Sequence, residues 1–226
     1  MHRIVFALVF LGGMLSAKTL WGPLPLSEPD TVLPKRFPAA DANSKGQHVV
    51  VWQDCRDGGW PWDGEWFTLY TGKLDYNGNP LSPNRLLDPP GWDTLIVGPG
   101  VLNFDDGSYW VLVPKGGKEG FTEASFLFFS ADDELVDTLR LGWVPSEFSW
   151  AKIGDSAAVL AYVNSEECGE YKGLYLLFLG TGEVRDSVVY PDFEGRFLKV
   201  SVNGNGEIAL AYEEITQDPT EDGGIY

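Results

Sequence analysis

The sequence predicts an all-β fold assembled from a repeated four-stranded unit, a β-propeller-like array of antiparallel blades. Three observations carry this. The 27 glycines among 226 residues, with 14% aromatics, exceed the ~7% glycine of average chains and mark a turn-rich, ring-rich protein. Short apolar runs alternate with Asp, Asn and Gly clusters, as in buried strands bounded by tight turns. These runs also recur: Val111 and Val159 are 48 apart, and Val159 and Ala209 are 50 apart. A β-sandwich also uses short strands, and is the alternative, but it does not demand a repeat of this length. Four antiparallel strands per repeat is the propeller blade pattern.

Taken in order, the chain opens on Met1-His2-Arg3, an apolar run from Ile4 to Leu15, and the small pair Ser16-Ala17. That is the grammar of a secretory signal over 1–17, too short to span a bilayer. It predicts export to a secreted or cell-surface location, with no transmembrane segment in the mature chain. Residues 18–40 read as a leader, in which Leu20 to Leu26 resembles a closing strand. The repeats then occupy about 41–97, 98–147, 148–196 and 197–226. Their first clear strands are HVVVWQD after SKGQ, YWVLV after FDDGS, AAVLAY after IGDS, and IALAY after NGNGE. The next strands are FTLYTGKLD, EASFLFFSA, KGLYLLFLG and the cut-off GGIY. Turns DYNGN, ADDE and GTGE follow the complete ones and lead into strands such as ELVDTLRL and EVRDSVVYP. Asn77-Gly78 predicts a type I′ hairpin turn, whose two central residues need positive φ. Tyr226 falls inside the third strand of the last unit, which predicts the N-terminal piece of a longer protein.

The string VVVWQDCRDGG followed by LYTGKLDYNGNPL resembles the blade repeat of secreted bacterial β-propeller proteins, of the form VWxDxRxG then IYxxxLDxxGN. LAYEE with DGGIY has the same form. The resemblance implies a scaffolding, adhesion or ligand-binding role and is specific for architecture rather than activity. The second and third units depart from it, because neither carries the Asp-x-Arg loop.

Charge excludes several functions. A net charge of −17 argues against nucleic acid, which needs clustered Lys and Arg. Two Cys and two His cannot build a disulfide framework or a Cys-only zinc site. Removal of residues 1–17 leaves His48 as the single histidine, so any Ser–His–Asp or Cys–His arrangement must use it. A lone strand histidine reads as structural. Gly154-Asp155-Ser156 looks like a nucleophile string but sits at an inter-strand turn. Gly204-Asn205-Gly206 matches a dinucleotide fingerprint by letter, yet a strand follows it where that motif needs a helix. Asn103-x-Asp105-x-Gly107-x-x-Trp110 partly resembles the Asp-box of sialidase propellers, before the wrong strand.

The insertion at 54–66 is the candidate site. It holds Asp54, Arg56, Asp57, Asp63 and Glu65 beside Trp60, Trp62 and Trp66. Aromatic faces stack on sugar rings and carboxylates bond hydroxyls, so the expected ligand is an extracellular carbohydrate or protein. No catalytic residue is assigned. The rival reading is a glycan-active, sialidase-like propeller enzyme, since glycosidases need paired carboxylates. No cofactor is expected; calcium is the metal to consider, because Asp41, Asn43, Asp105, Asp106, Asn203 and Asn205 recur at turns. Cys55 and Cys168 lie in corresponding loops of units one and three. Export permits their disulfide, whereas an intervening blade opposes the required Cα separation of under ~7 Å.

Overall fold

In a computed structural model, the described residues are 35–54, 68–87, 95–96, 98–117, 120–141, 147–164, 173–191, 193 and 195–214. Among them every regular element is a strand. The first sheet contains β1 (Lys35–Ala42), β2 (His48–Asp54), β3 (Thr68–Leu74) and β4 (Arg85–Leu86), in that order. The second contains β5 (Leu95–Ile96), β6 (Gly100–Asn103), β7 (Tyr109–Gly117), β8 (Gly120–Phe129) and β9 (Leu135–Leu141). Here β7, β8 and β9 run consecutively, and β5 and β6 both pair with β7. The third is β10 (Glu147–Ile153), β11 (Ala157–Asn164), β12 (Gly173–Gly180) and β13 (Glu183–Pro191). A hairpin of β14 (Gly195–Val202) and β15 (Ile208–Glu214) completes the described chain. All pairings are antiparallel.

The packing excludes the sandwich alternative, because a middle sheet is covered on both faces. Side chains alternate along a strand. On β7 and β8, Tyr109, Val111, Val113, Leu127 and Phe129 meet Val49, Val51 and Leu69 of the first sheet. Their neighbours Trp110, Leu112, Phe126 and Phe128 meet Ala158, Leu160, Tyr162 and Leu179 of the third. The other face of the third sheet, with Val159, Ala161, Leu174 and Leu176, packs on Leu198, Val200, Ile208 and Leu210. Strands buried on both faces need apolar residues at every position. That is why these segments read as continuous runs rather than as alternation. The outermost strand β13 carries no such demand and is exposed along its whole length.

The strands at one edge of successive sheets, β1, β6, β10 and β14, are linked in turn. The Asn103 amide donates to Asp41 Oδ2 at 2.8 Å, joining β6 to β1. A Cβ on Gly100 would sit 3.0 Å from Trp150 Nε1, so the Trp150 ring of β10 packs on β6 where glycine stands. The Val200 amide donates to Ser149 Oγ at 3.1 Å, joining β14 to β10. Consecutive sheets, stacked face to face with these edge strands linked, form an incomplete propeller-like array.

The turns share one construction. In 43–47, 75–79, 104–108, 130–134 and 203–207, the first amide donates to the fifth carbonyl and the fourth amide donates back to the first carbonyl. The fourth residue has positive φ: Gly46 (74°), Gly78 (82°), Gly107 (91°), Gly206 (80°) and, once, Asp133 (66°). A side-chain oxygen of the first residue accepts the third and fifth amides in four of these turns: Asn43, Asp75, Ser130 and Asn203. The expected type I′ turn at Asn77-Gly78 is therefore corrected. Only Gly78 has positive φ, and Asp75 caps a longer loop, because the Asx side chain stabilises a turn that needs one left-handed residue rather than two.

Candidate functional site

The seam between the first and second sheets is closed by two polar clamps with a cleft of about 450 Å³ between them. The outer clamp starts from Lys73 at the end of β3. Its Nζ donates to the Ala131 carbonyl at 2.7 Å and pairs with Asp133 Oδ1 at 2.7 Å. It also stands 4.8 Å from the centre of the Tyr109 ring. Arg85 Nη1 donates to the Asp133 carbonyl. These contacts explain a non-glycine residue at the left-handed position of its turn. The strain there costs about 1 kcal/mol, and Asp133 offsets it with a charged bond across the seam. Burial, aided by the negative charge of Asp133, pushes the Tyr109 phenol up, so it stays protonated.

The inner clamp joins the β1–β2 turn to the β6–β7 turn. The Asp105 carboxylate accepts the Ser44 amide at 2.7 Å and the Ser44 hydroxyl at 2.6 Å. Those bonds hold its carboxyl below the usual carboxylate value. Asn43 Nδ2 donates to the Phe104 carbonyl at 3.2 Å, and Asn103 Nδ2 donates to the Gln47 carbonyl at 2.8 Å. A third sheet enters through Lys152, whose Nζ reaches the carbonyls of Ala42 at 3.0 Å and Asn103 at 2.8 Å, and pairs with Asp41 Oδ2 at 3.0 Å. One ammonium thus ties β1, β6 and β10.

The cleft walls differ in chemistry. The first sheet contributes Lys45, Gln47, His48, Val49, Lys73, Leu81 and Ser82, and the second contributes Asn103, Asp106, Gly107, Ala131, Asp132 and Asp133. Cationic and imidazole groups lie on one wall and carboxylates on the other. His48, read from the sequence as structural, begins β2 and lines this cleft.

Trp60, Trp62, Trp66, Arg56, Asp57, Asp63 and Glu65 lie outside the described residues, as do Cys55, Cys168, the leader strand and the signal segment. Asp54 ends β2, opposite Thr68 of β3. The pair lies at the other end of the sheet from His48, which is opposite Leu74. Four of the six turn residues weighed as calcium ligands are engaged in the fold: Asp41 with Lys152 and Asn103, Asp105 with Ser44, and Asn43 and Asn203 with their own turns. Among the described residues, no three His, Cys, Asp or Glu side chains gather as a metal-ligand group. Gly154-Asp155-Ser156 forms the β10–β11 turn, and Gly204 to Glu207 leads into β15, so neither string takes the context its chemistry needs.

Sequence reasoning missed Lys73, Asp133 and Lys152. One signal was available: SADDE has Asp where the other five-residue turns have Gly. No protein-family model matches the chain, and no curated protein matches it. A solved structure, the Hadza microbial sialidase Hz136, aligns at 15% identity with a TM-score of 0.47, over 80% of this chain. The chain spans 40% of that protein's length. No helix among the described residues is long and apolar enough to cross a membrane.

Proposed function

We propose that this chain is an exported, non-enzymatic module that binds and scaffolds outside the cell. The observation that carries this reading is the work done by the polar groups of the turn end. Lys152, Lys73, Asp105 and Asn43 each reach across a seam to fix one blade on the next. Side chains committed to holding strands in register are suited to display of loops, and ligand-binding loops on a rigid scaffold are the common arrangement. The ligand is bound by the 54–66 insertion, where Trp60 and Trp62 offer faces for sugar stacking. The signal over residues 1–17 directs export.

The test compares glycan binding by the full chain and by a Trp60→Ala, Trp62→Ala form. Binding by the native chain that the variant loses supports the proposal; equal binding removes the loop from it. The rival, a glycan-active enzyme, is favoured by the carboxylates sharing that insertion. Release of sugar from a glycoside panel, abolished by Asp57→Asn or Glu65→Gln, would replace the binding module with an enzyme.

A further inference from the structure

The cleft between the first two sheets has unspent groups, and their arrangement is specific. Lys73 and Asp133 are consumed by the outer clamp. No hydrogen bond or ion pair joins the Lys45 ammonium, the His48 ring or the Asp132 carboxylate to another described residue, and Lys45 acts on the Asp105 carboxylate through its charge alone. Asp106 uses one carboxylate oxygen, Oδ1, on the Ser108 amide and hydroxyl at 2.8 and 2.6 Å, which leaves Oδ2. The free donors stand on the first-sheet wall and the free acceptors on the second-sheet wall.

We propose that this cleft binds a small zwitterion, a free amino acid or a dipeptide. Its carboxylate lies on Lys45 and His48, and its ammonium lies on Asp106 and Asp132. The volume of about 450 Å³ is within the ~300–1,000 Å³ of small-molecule sites. A simple anion would meet two carboxylates on the far wall, in a chain of charge −17. A simple cation would satisfy the acids and leave Lys45 facing it. Only a ligand carrying both charges complements both walls. Because the walls are solvent-facing, each contact is weakened by screening, which places the affinity near the millimolar end, Kd about 1 mM. The proposal is independent of the aromatic insertion, because the flanking residues Asp54 and Thr68 pair at the opposite end of the first sheet from His48.

The test is an amide NMR titration of the full chain with glycylglycine, acetate and methylamine. Saturable shifts at Lys45, Gly107 and Asp132 are expected for glycylglycine, with affinity roughly tenfold above either single-charge probe. Lys45→Gln and Asp132→Asn should each weaken binding about fivefold or more without lowering Tm, since both residues are exposed. The Trp60→Ala, Trp62→Ala form should bind glycylglycine unchanged, so this site and the glycan reading fail separately. Absence of saturable shifts, equal binding of acetate, or indifference to both charge variants overturns the proposal.

Discussion

The seam between the second and third sheets and the seam between the first and second are built from the same repeat but closed differently. The former is lined with rings: Trp110 packs edge-on to Phe128 at 4.8 Å, Phe104 lies 4.8 Å from Trp110, and Phe126 lies 5.7 Å from Trp150. The latter packs Val49, Val51 and Val111 beside the stacked rings of Tyr109 and Phe129, 4.8 Å apart, and finishes at its turn end in charged clamps around a cleft. Large rings fill the space between the second and third sheets. At the rim of the other seam, Lys73, lying over the Tyr109 ring, and Arg85 bridge to the second sheet. The difference teaches that seams of one repeat can be closed either by packed rings alone or by rings and aliphatics finished with charged bridges.

The largest expected effect falls on the ring-lined seam. Phe126→Ala removes a fully buried ring and should cost about 3–5 kcal/mol, read as a lowered denaturant midpoint. A cost under 1 kcal/mol would show that this seam is not sustained by ring packing. Lys152→Met comes next. It leaves Asp41 and two carbonyls without their shared ammonium, for a loss of about 1–3 kcal/mol. Hydrogen exchange should quicken in the β1, β6 and β10 amides together; quickening in β10 alone would mean that Lys152 does not tie three sheets.

Asp133 separates backbone strain from charge in the polar seam. Asp133→Ala and Asp133→Gly both lose the Lys73 pair, but only Ala keeps a Cβ at positive φ. The Gly form should be the more stable by about 1 kcal/mol, and equal stability would mean that the left-handed turn is not strained. The smallest effect concerns Ser44. Its bonds hold the Asp105 carboxyl below its ordinary 3.8, so they add stability that is complete above that value. That stability is lost as pH falls through the lowered folded value. The Tm gap between the native chain and Ser44→Ala should therefore close in acid. A gap that persists at low pH would assign Ser44 a role other than holding this carboxylate.

The strands show how much was legible in sequence. His48 to Asp54 and Glu183 to Pro191 match their sequence-read bounds, because apolar runs between Asx-Gly turns leave little choice of register. The edge strands β1 and β6 were harder to locate. KRFPAADA and GVLN mix polar, small and apolar residues, so neither reads as an apolar run. Asn77-Gly78 was legible as a turn but not as its type, because the choice depends on the Asp75 cap and not on the dipeptide. Lys73 and Asp133 were each visible as charged residues; nothing in their spacing says that they meet.

Sequence alone sufficed for the all-β class, the propeller-like repeat and most strand positions, because these follow from local patterning of apolar and turn residues. The clamps, the threefold reach of Lys152 and the cleft with opposed walls arose only on folding. They are contacts between turns far apart in the chain, brought together by how the sheets stack. A charge pattern written along one strand carries no record of which residue will face it across a seam.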